Sequence, residues 1–127
     1  MSRRILAGVA TAAASGALLL GTAAGASASQ EVGLTLAPGF QKCVQQYAGY
    51  QVRAYGTATN QGAKFKLQLN GATVPGGGSP GLVPAWNVEY RSTWGNFPGS
   101  GYYVACVTNN GTANTKVTLV LLTDGEL

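Results

Sequence analysis

The sequence predicts an all-β fold: a small antiparallel β-sandwich or barrel of six to seven strands with one disulfide, after an N-terminal signal peptide. Three observations predict it. Apolar and polar residues alternate with period two in several short segments after residue 28, and none shows the sustained three-and-four spacing of a helix. All eleven aromatic residues lie in that part, with abundant Val, Leu and Thr, and these types favour strands. Fifteen of the nineteen glycines also fall there, between apolar segments, where they read as turns.

The first 28 residues are expected to be removed. Arg3 and Arg4 form a positive start, Ile5 to Gly25 carries no charge, and Ala26-Ser27-Ala28 is a small-residue cleavage site. The uncharged run is 21 residues, long enough to span a bilayer, but Gly, Ser and Thr dilute it and the cleavage site comes directly after it. Ser2-Arg3-Arg4-Ile5-Leu6 faintly resembles a twin-arginine signal. Ala7 and Gly8 stand where its usual lysine would be, so general export is the default. The division is therefore 1–28, a cleaved secretory signal, and 29–127, a single β domain in a secreted, extracellular protein. The Ala- and Gly-rich start suggests a high-GC bacterium.

Val32, Leu34 and Leu36 alternate with polar or small residues and form a first strand, ended by Pro38-Gly39. Cys43 to Tyr55 is either two short strands or one bent strand with a bulge at Ala48-Gly49. Gly56 to Gly62 reads as a polar turn. Lys64 to Leu69 puts Phe65, Leu67 and Leu69 on one face and Lys64, Lys66 and Gln68 on the other, a half-buried strand with a solvated, edge-protecting lysine face. Asn70-Gly71 is a hairpin-turn signal.

Pro75 to Pro84 reads as the longest irregular stretch, dividing the strands into two groups. Its three prolines cannot donate to a ladder and its four glycines loosen the backbone. Trp86 to Trp94 alternates again. Tyr102 to Thr108 is a strand containing Cys106, and Asn109-Asn110-Gly111 starts a turn. Lys116 to Thr123 is apolar on both faces near its end, as a central or covered strand is.

Cys43 and Cys106 are the only cysteines, and export takes them to an oxidising compartment. Their bond closes a loop of 64 residues. In the chain-entropy account such a bond is worth about 4 kcal/mol, against a total stability of roughly 5–15 kcal/mol. It is expected to pin two sheets or two distant strands. An immunoglobulin arrangement fits poorly, because Val104 stands where the tyrosine corner needs tyrosine and no tryptophan lies between Cys43 and Trp86. The stretch from Gly101-Tyr102-Tyr103-Val104 to Leu119-Val120-Leu121 resembles the last hairpin of bacterial pre-peptidase C-terminal domains, which are small secreted β-sandwich modules. The resemblance covers about a quarter of the mature chain and implies no site residues or function.

Composition bears on function mainly by exclusion. Without histidine there is no Ser-His-Asp triad, Cys-His dyad or histidine metal ligand. The carboxylates are Glu31, Glu89, Asp124 and Glu126, and only Glu89 lies between residues 32 and 123, too few for a glycosidase pair away from the ends. No acid-rich loop or thiolate cluster suggests a metal, and no cofactor is expected. The mature part has six basic residues scattered among four acids, which is no phosphate-binding surface, so nucleic acid is not an expected partner. Nothing after Ala28 is long and apolar enough to span a bilayer.

An enzyme is therefore not expected. Trp86, Tyr90 and Trp94 share one face of a strand, and Asn87, Glu89 and Arg91 share the other. Trp86, Tyr90, Trp94 and Arg91 are the candidate ligand-binding residues, since flat aromatics stack on sugar rings. The competing reading makes that aromatic face the core of a domain that needs its tryptophans for burial. The main expectation is a secreted non-catalytic β-domain that binds or assembles, with an extracellular polysaccharide or a secreted protein as partner. One alternative is a secreted protease or enzyme inhibitor using the Pro75–Pro84 loop. Against it, the Gly76-Gly77-Gly78 run would need ordering on binding, at about 1 kcal/mol or more per residue. The other alternative is a structural cell-surface protein with Val120 and Leu122 as contacts.

Overall fold

The computed structural model describes residues 30–127, with side chains from residue 32 onward. The expected signal peptide and its cleavage site lie outside the described residues. Eight strands run in order: β1 (Gln30–Leu36), β2 (Gln41–Ala48), β3 (Gln51–Ala58), β4 (Lys64–Leu69), β5 (Ala72–Gly78), β6 (Ala85–Arg91), β7 (Gly101–Thr108) and β8 (Thr115–Thr123). Two short 3-10 turns, Ser92–Trp94 and Asp124–Glu126, are the other regular elements among the described residues.

The strands form two four-stranded antiparallel sheets, ordered β1-β8-β3-β6 and β2-β7-β4-β5. Each connection from β1 to β8 except one changes sheet. The exception is the β4–β5 hairpin, turned by Asn70 (φ 54°) and Gly71 (φ 82°). Positive φ at both positions is what a primed two-residue turn requires, and Asn-Gly supplies it.

Cys43 to Tyr55 is two strands broken at Gly49-Tyr50, the first of the two alternatives, and these residues carry the chain from one sheet to the other. The alternation corrects two other expectations. The β7–β8 segment is no hairpin. β7 pairs with β2 and β4, and β8 pairs with β1 and β3, so the pre-peptidase C-terminal pattern is not formed. The Pro75–Pro84 region does not divide two strand groups, since each sheet draws strands from both sides of it.

Of the two arrangements expected for the disulfide, it pins two strands distant in the chain and not the two sheets. Cys43 and Cys106 face each other on the neighbouring strands β2 and β7, with Cα atoms 4.1 Å apart, on the outer face of one sheet. It staples edge strand β2 to its neighbour and does not bridge the sheets.

The alternation read from the sequence sets the core. β8 sends Val117, Leu119 and Leu121 inward, β3 sends Val52 and Ala54, β4 sends Phe65 and Leu67, and β7 sends Tyr103, Ala105 and Val107; all are buried. Trp86 and Tyr90 of β6 join them. Phe65 and Trp86 stack across the sheets, their centroids 5.3 Å apart and their planes within 11°. Gly56 makes room, because a Cβ there would stand 2.6 Å from the Phe65 ring and 2.5 Å from the Thr118 carbonyl.

Burial raises the pKa of the Tyr90 hydroxyl. Burial, and secondarily the neighbouring Tyr90, pushes that of Tyr103 up to about 12. Asn109, fully buried, ties one end together: its amide donates to the Leu36 and Ala113 carbonyls and accepts from Gly111 and Gln61.

Candidate functional site

The fold separates its unusual residues between the two ends of the sandwich. One end holds the turns after β2, β4, β6 and β8; the other holds those after β1, β3, β5 and β7.

At the second end, the Pro75–Pro84 region is half strand and half braced loop. Thr73 and Gly78 pair with β4, and the register slips between them, so Val74 to Gly77 form an irregular stretch whose Val74 side chain is in the core. Pro75 is tolerated because β5 is an edge strand. Ser79, which is buried, anchors the loop that leaves this strand. Its N–H donates to the Phe65 carbonyl (2.8 Å), its hydroxyl accepts from Phe65 N–H (3.0 Å) and donates to the Gly81 carbonyl (2.8 Å), and its carbonyl accepts from Lys64 Nζ (2.6 Å).

Val83 exchanges two backbone hydrogen bonds with Ala63, at 2.9 and 3.1 Å, and the Pro84 carbonyl accepts from Ala58 N–H. Gly62 (φ 87°) lets the loop lie this close, since a Cβ would meet the Val83 backbone at 2.7 Å. Between these anchors Pro80, Gly81 and Leu82 project, and the Leu82 side chain is 39% exposed. Lys42, Lys64, Lys66 and Lys116 all lie in the halves of their strands toward this end, while Glu89, Asp124 and Glu126 lie toward the other.

The first end is aromatic. Of the residues expected to bind a ligand, Trp86 (8% exposed) and Tyr90 (7%) are core residues. Tyr90 spends its hydroxyl on the Pro75 carbonyl at 2.8 Å. They leave no room for a three-membered aromatic row on the surface, because their strand face packs against the other sheet. Trp94 has left that strand: the 3-10 turn after Arg91 rotates it outward, where it is 60% exposed.

Arg91 does meet it, with its guanidinium carbon 5.1 Å from the ring centroid. Arg91 is itself fixed, donating from Nε to Glu89 (2.5 Å) and from Nη1 to Gln51 (3.3 Å). On the same outer face Arg53 lies over Tyr55 at 4.7 Å and donates to Asn87.

Three tyrosines whose placement could not be read from the sequence join this end. Tyr47 (48% exposed) and Tyr102 (61%) face each other across β2 and β7, edge to face, with centroids 5.3 Å apart. Tyr50 (48%) occupies the β2–β3 crossing, and its carbonyl accepts from Ser92 N–H. Asp124 holds that crossing in place, its carboxylate accepting from the N–H groups of Gly49, Tyr50 and Gln51 at 2.9–3.3 Å. Glu126 accepts from Gln46 and caps its own turn. These C-terminal acids are thus committed to structure.

Val120, suggested as an assembly contact, is buried on the outer face of central strand β8, where Tyr55 lies opposite; Leu122 is half-buried. Among the described residues no group of three His, Cys, Asp or Glu side chains comes together as a metal site, and no helix is long and apolar enough to cross a membrane.

No family model and no curated protein matches the chain. Among solved structures it is similar to PliG from Aeromonas hydrophila, a periplasmic lysozyme inhibitor of g-type lysozyme. The TM-score is 0.48 and the identity 14%, over 79% of this chain and 90% of that one.

Proposed function

We propose that this chain is an exported, non-catalytic β-sandwich that binds a partner protein, acting as an inhibitor of a secreted enzyme through the Ser79–Pro84 loop. The observation that supports it most is the anchoring of Ser79 and Val83 on β4 and the segment before it, which holds Pro80-Gly81-Leu82 out in one conformation. A pre-ordered loop loses little conformational entropy on binding. The objection from the glycine run falls away, because Gly76 to Gly78 is already part of β5. The four lysines at the loop's end favour a partner with an acidic surface, steered by complementary charge.

A non-catalytic role is supported by the three acids whose side chains are described: Asp124 and Glu126 serve as structural acceptors and Glu89 is paired with Arg91. The test is a panel of secreted proteases and other secreted hydrolases assayed with the mature domain. Stoichiometric inhibition of at least one enzyme is expected, and Leu82→Asp should abolish it without changing the melting temperature. Failure to inhibit any enzyme, or inhibition untouched by Leu82→Asp, would sink this reading.

A second reading, binding of an extracellular polysaccharide, is favoured by one observation: Trp94 is exposed and backed by a fixed guanidinium. Tryptophan fluorescence titrated with soluble glycans tests it, and a flat titration with every glycan rejects it.

A further inference from the structure

We propose that two copies of the chain pair antiparallel along their β2 edges, about a two-fold axis, joining the two β2-β7-β4-β5 sheets into one sheet of eight strands. The proposal stands apart from the inhibitor and polysaccharide readings, since it uses neither Leu82 nor Trp94.

The pairing with β7 fixes which way the β2 backbone faces. Asn109 N–H donates to the Phe40 carbonyl at 2.9 Å, so Phe40 bonds toward β7. Bonded and non-bonded pairs alternate along an antiparallel ladder, and the non-bonded ones are the closer. Cys43 and Cys106, with Cα atoms 4.1 Å apart, are such a close pair. The backbone N–H and C=O groups of Gln41, Cys43, Gln45 and Tyr47 therefore point away from β7, along the open edge. All four residues are exposed.

An open edge is a template for another strand, and proteins usually block it with proline, a bulge or a covering group. Two of the other edges carry such devices. β5 has Pro75 and a slipped register. On β6 the Asn96 side chain accepts from Arg91 N–H (2.9 Å) and donates to the Glu89 carbonyl (3.2 Å), occupying two outward groups as a neighbouring strand would. β1 has glycine at its centre, Gly33, which weakens a strand. β2 has none of these. It runs for eight residues without proline, glycine or a register shift, and the disulfide staples it to β7.

A second copy fits this edge in one register. Setting Cys43 opposite Gln45 of the second copy also sets Gln41 opposite Tyr47, so all four outward residues of each strand find partners. Val44, only partly buried at the margin of the core, then meets its own counterpart on the axis. Lys42 is the strand's one charge, and the axis keeps the two lysines apart. Each faces Gln46 of the other copy. Gln46 Oε1 is buried and has no hydrogen-bond donor within the chain, while its Nε2 donates to Glu126. The incoming ammonium supplies that donor and brings a positive charge toward a carboxylate. This complementarity favours a second copy over an unrelated strand. The two Leu82 loops come to opposite ends of the assembly, each free for its own enzyme.

The experiment is sedimentation equilibrium of the exported protein across a wide concentration range, with amide hydrogen exchange on the same samples. A shift from one to two chain masses is expected as concentration rises. The amides of Cys43, Gln45 and Tyr47 should exchange fast in dilute protein and slowly in concentrated protein. Those of Lys42, Val44 and Gln46, bonded to β7, should be slow in both.

Gln45→Pro removes an outward N–H and no bond to β7, so it should keep the parent circular dichroism and stay a single chain. Lys42→Glu should weaken the dimer about tenfold or more, the worth of a hydrogen bond to a charged group. Leu82→Asp should dimerise as the parent does, and any inhibition should survive Gln45→Pro, which separates this edge from the loop. A single chain mass at every concentration overturns the proposal. So does a dimer that folded Gln45→Pro leaves intact, or exchange at Cys43, Gln45 and Tyr47 that ignores concentration. The exchange measurement needs no variant and decides the matter even if Gln45→Pro fails to fold.

Discussion

The rings of Phe65 on β4 and Trp86 on β6 stack face to face, 5.3 Å between centroids and 11° from parallel, and join the two sheets toward the end that carries the Pro75–Pro84 loop. Each sheet contributes one ring, and Gly56 on β3 leaves the space that the Phe65 ring fills. Phe65→Ala should therefore cost about 3–5 kcal/mol in urea unfolding, through lost burial and the cavity left behind. Gly56→Ala should cost about 1–3 kcal/mol by overpacking. A loss below about 1 kcal/mol for Phe65→Ala would show that the sheets do not meet through this pair.

The Cys43–Cys106 bond lies within one sheet, yet it closes a long stretch of chain that includes β3, β4, β5 and β6. Replacing both cysteines with serine should lower stability by about 4 kcal/mol, chiefly by freeing the unfolded chain. Because the partners are neighbouring strands, the circular dichroism of the folded variant should match the parent. A thiol assay on denatured, unreduced protein should find no free thiol.

Stability should fall at high pH. Tyrosine ionises near 10 in an unfolded chain, while burial and the neighbouring Tyr90 hold Tyr103 up at about 12 in the folded one. The folded state binds this proton more tightly, so the contribution is fully present below pH 10 and is lost as pH rises from about 10 to 12. Tyr90, also raised by burial, acts in the same direction. Urea midpoints measured across that range should drop in the parent and drop less in Tyr103→Phe, while phenolate absorbance should report both groups titrating late.

Asp124 anchors the β2–β3 crossing through three backbone N–H groups. Asp124→Ala should cost about 1–3 kcal/mol, the range for hydrogen bonds to a charged acceptor. Amide hydrogen exchange should accelerate at Gly49, Tyr50 and Gln51, with β7 protection unchanged. Equal acceleration everywhere would mean that the carboxylate acts on global stability alone.

Gly62→Ala should disturb the Leu82 loop selectively. The added Cβ meets the Val83 backbone at 2.7 Å, and φ at this position is +87°. The Ala63–Val83 bridge should open, seen as faster exchange of those two amides, and any inhibition carried by Leu82 should weaken with it.

The local elements are legible along the chain, because a strand's two faces are written in period two. Lys64–Leu69 has its read boundaries, Asn70-Gly71 makes its turn, and the apolar positions of β8 point to the core while its outer Val120 is covered, as for a central strand. The all-β class and the cysteine pairing come from composition and count. Ala72–Gly78 is not legible as a strand, because its proline and glycines signal a loop and only a bulged edge position accommodates them. Which sheet each strand joins is set only when the chain folds. Pairing depends on partners far away in the chain, so β7 and β8 look like a hairpin locally and are not.

The same holds for the candidate sites. Trp86 and Trp94 read as equivalent members of one row, yet packing took Trp86 into the core and a single 3-10 turn put Trp94 on the surface beside Arg91. The exposed tyrosines at the same end of the sandwich as Trp94 come from β2, the β2–β3 crossing and β7. Their positions in the chain carry no sign of it, because residues remote in sequence meet only where strand ends from both sheets converge.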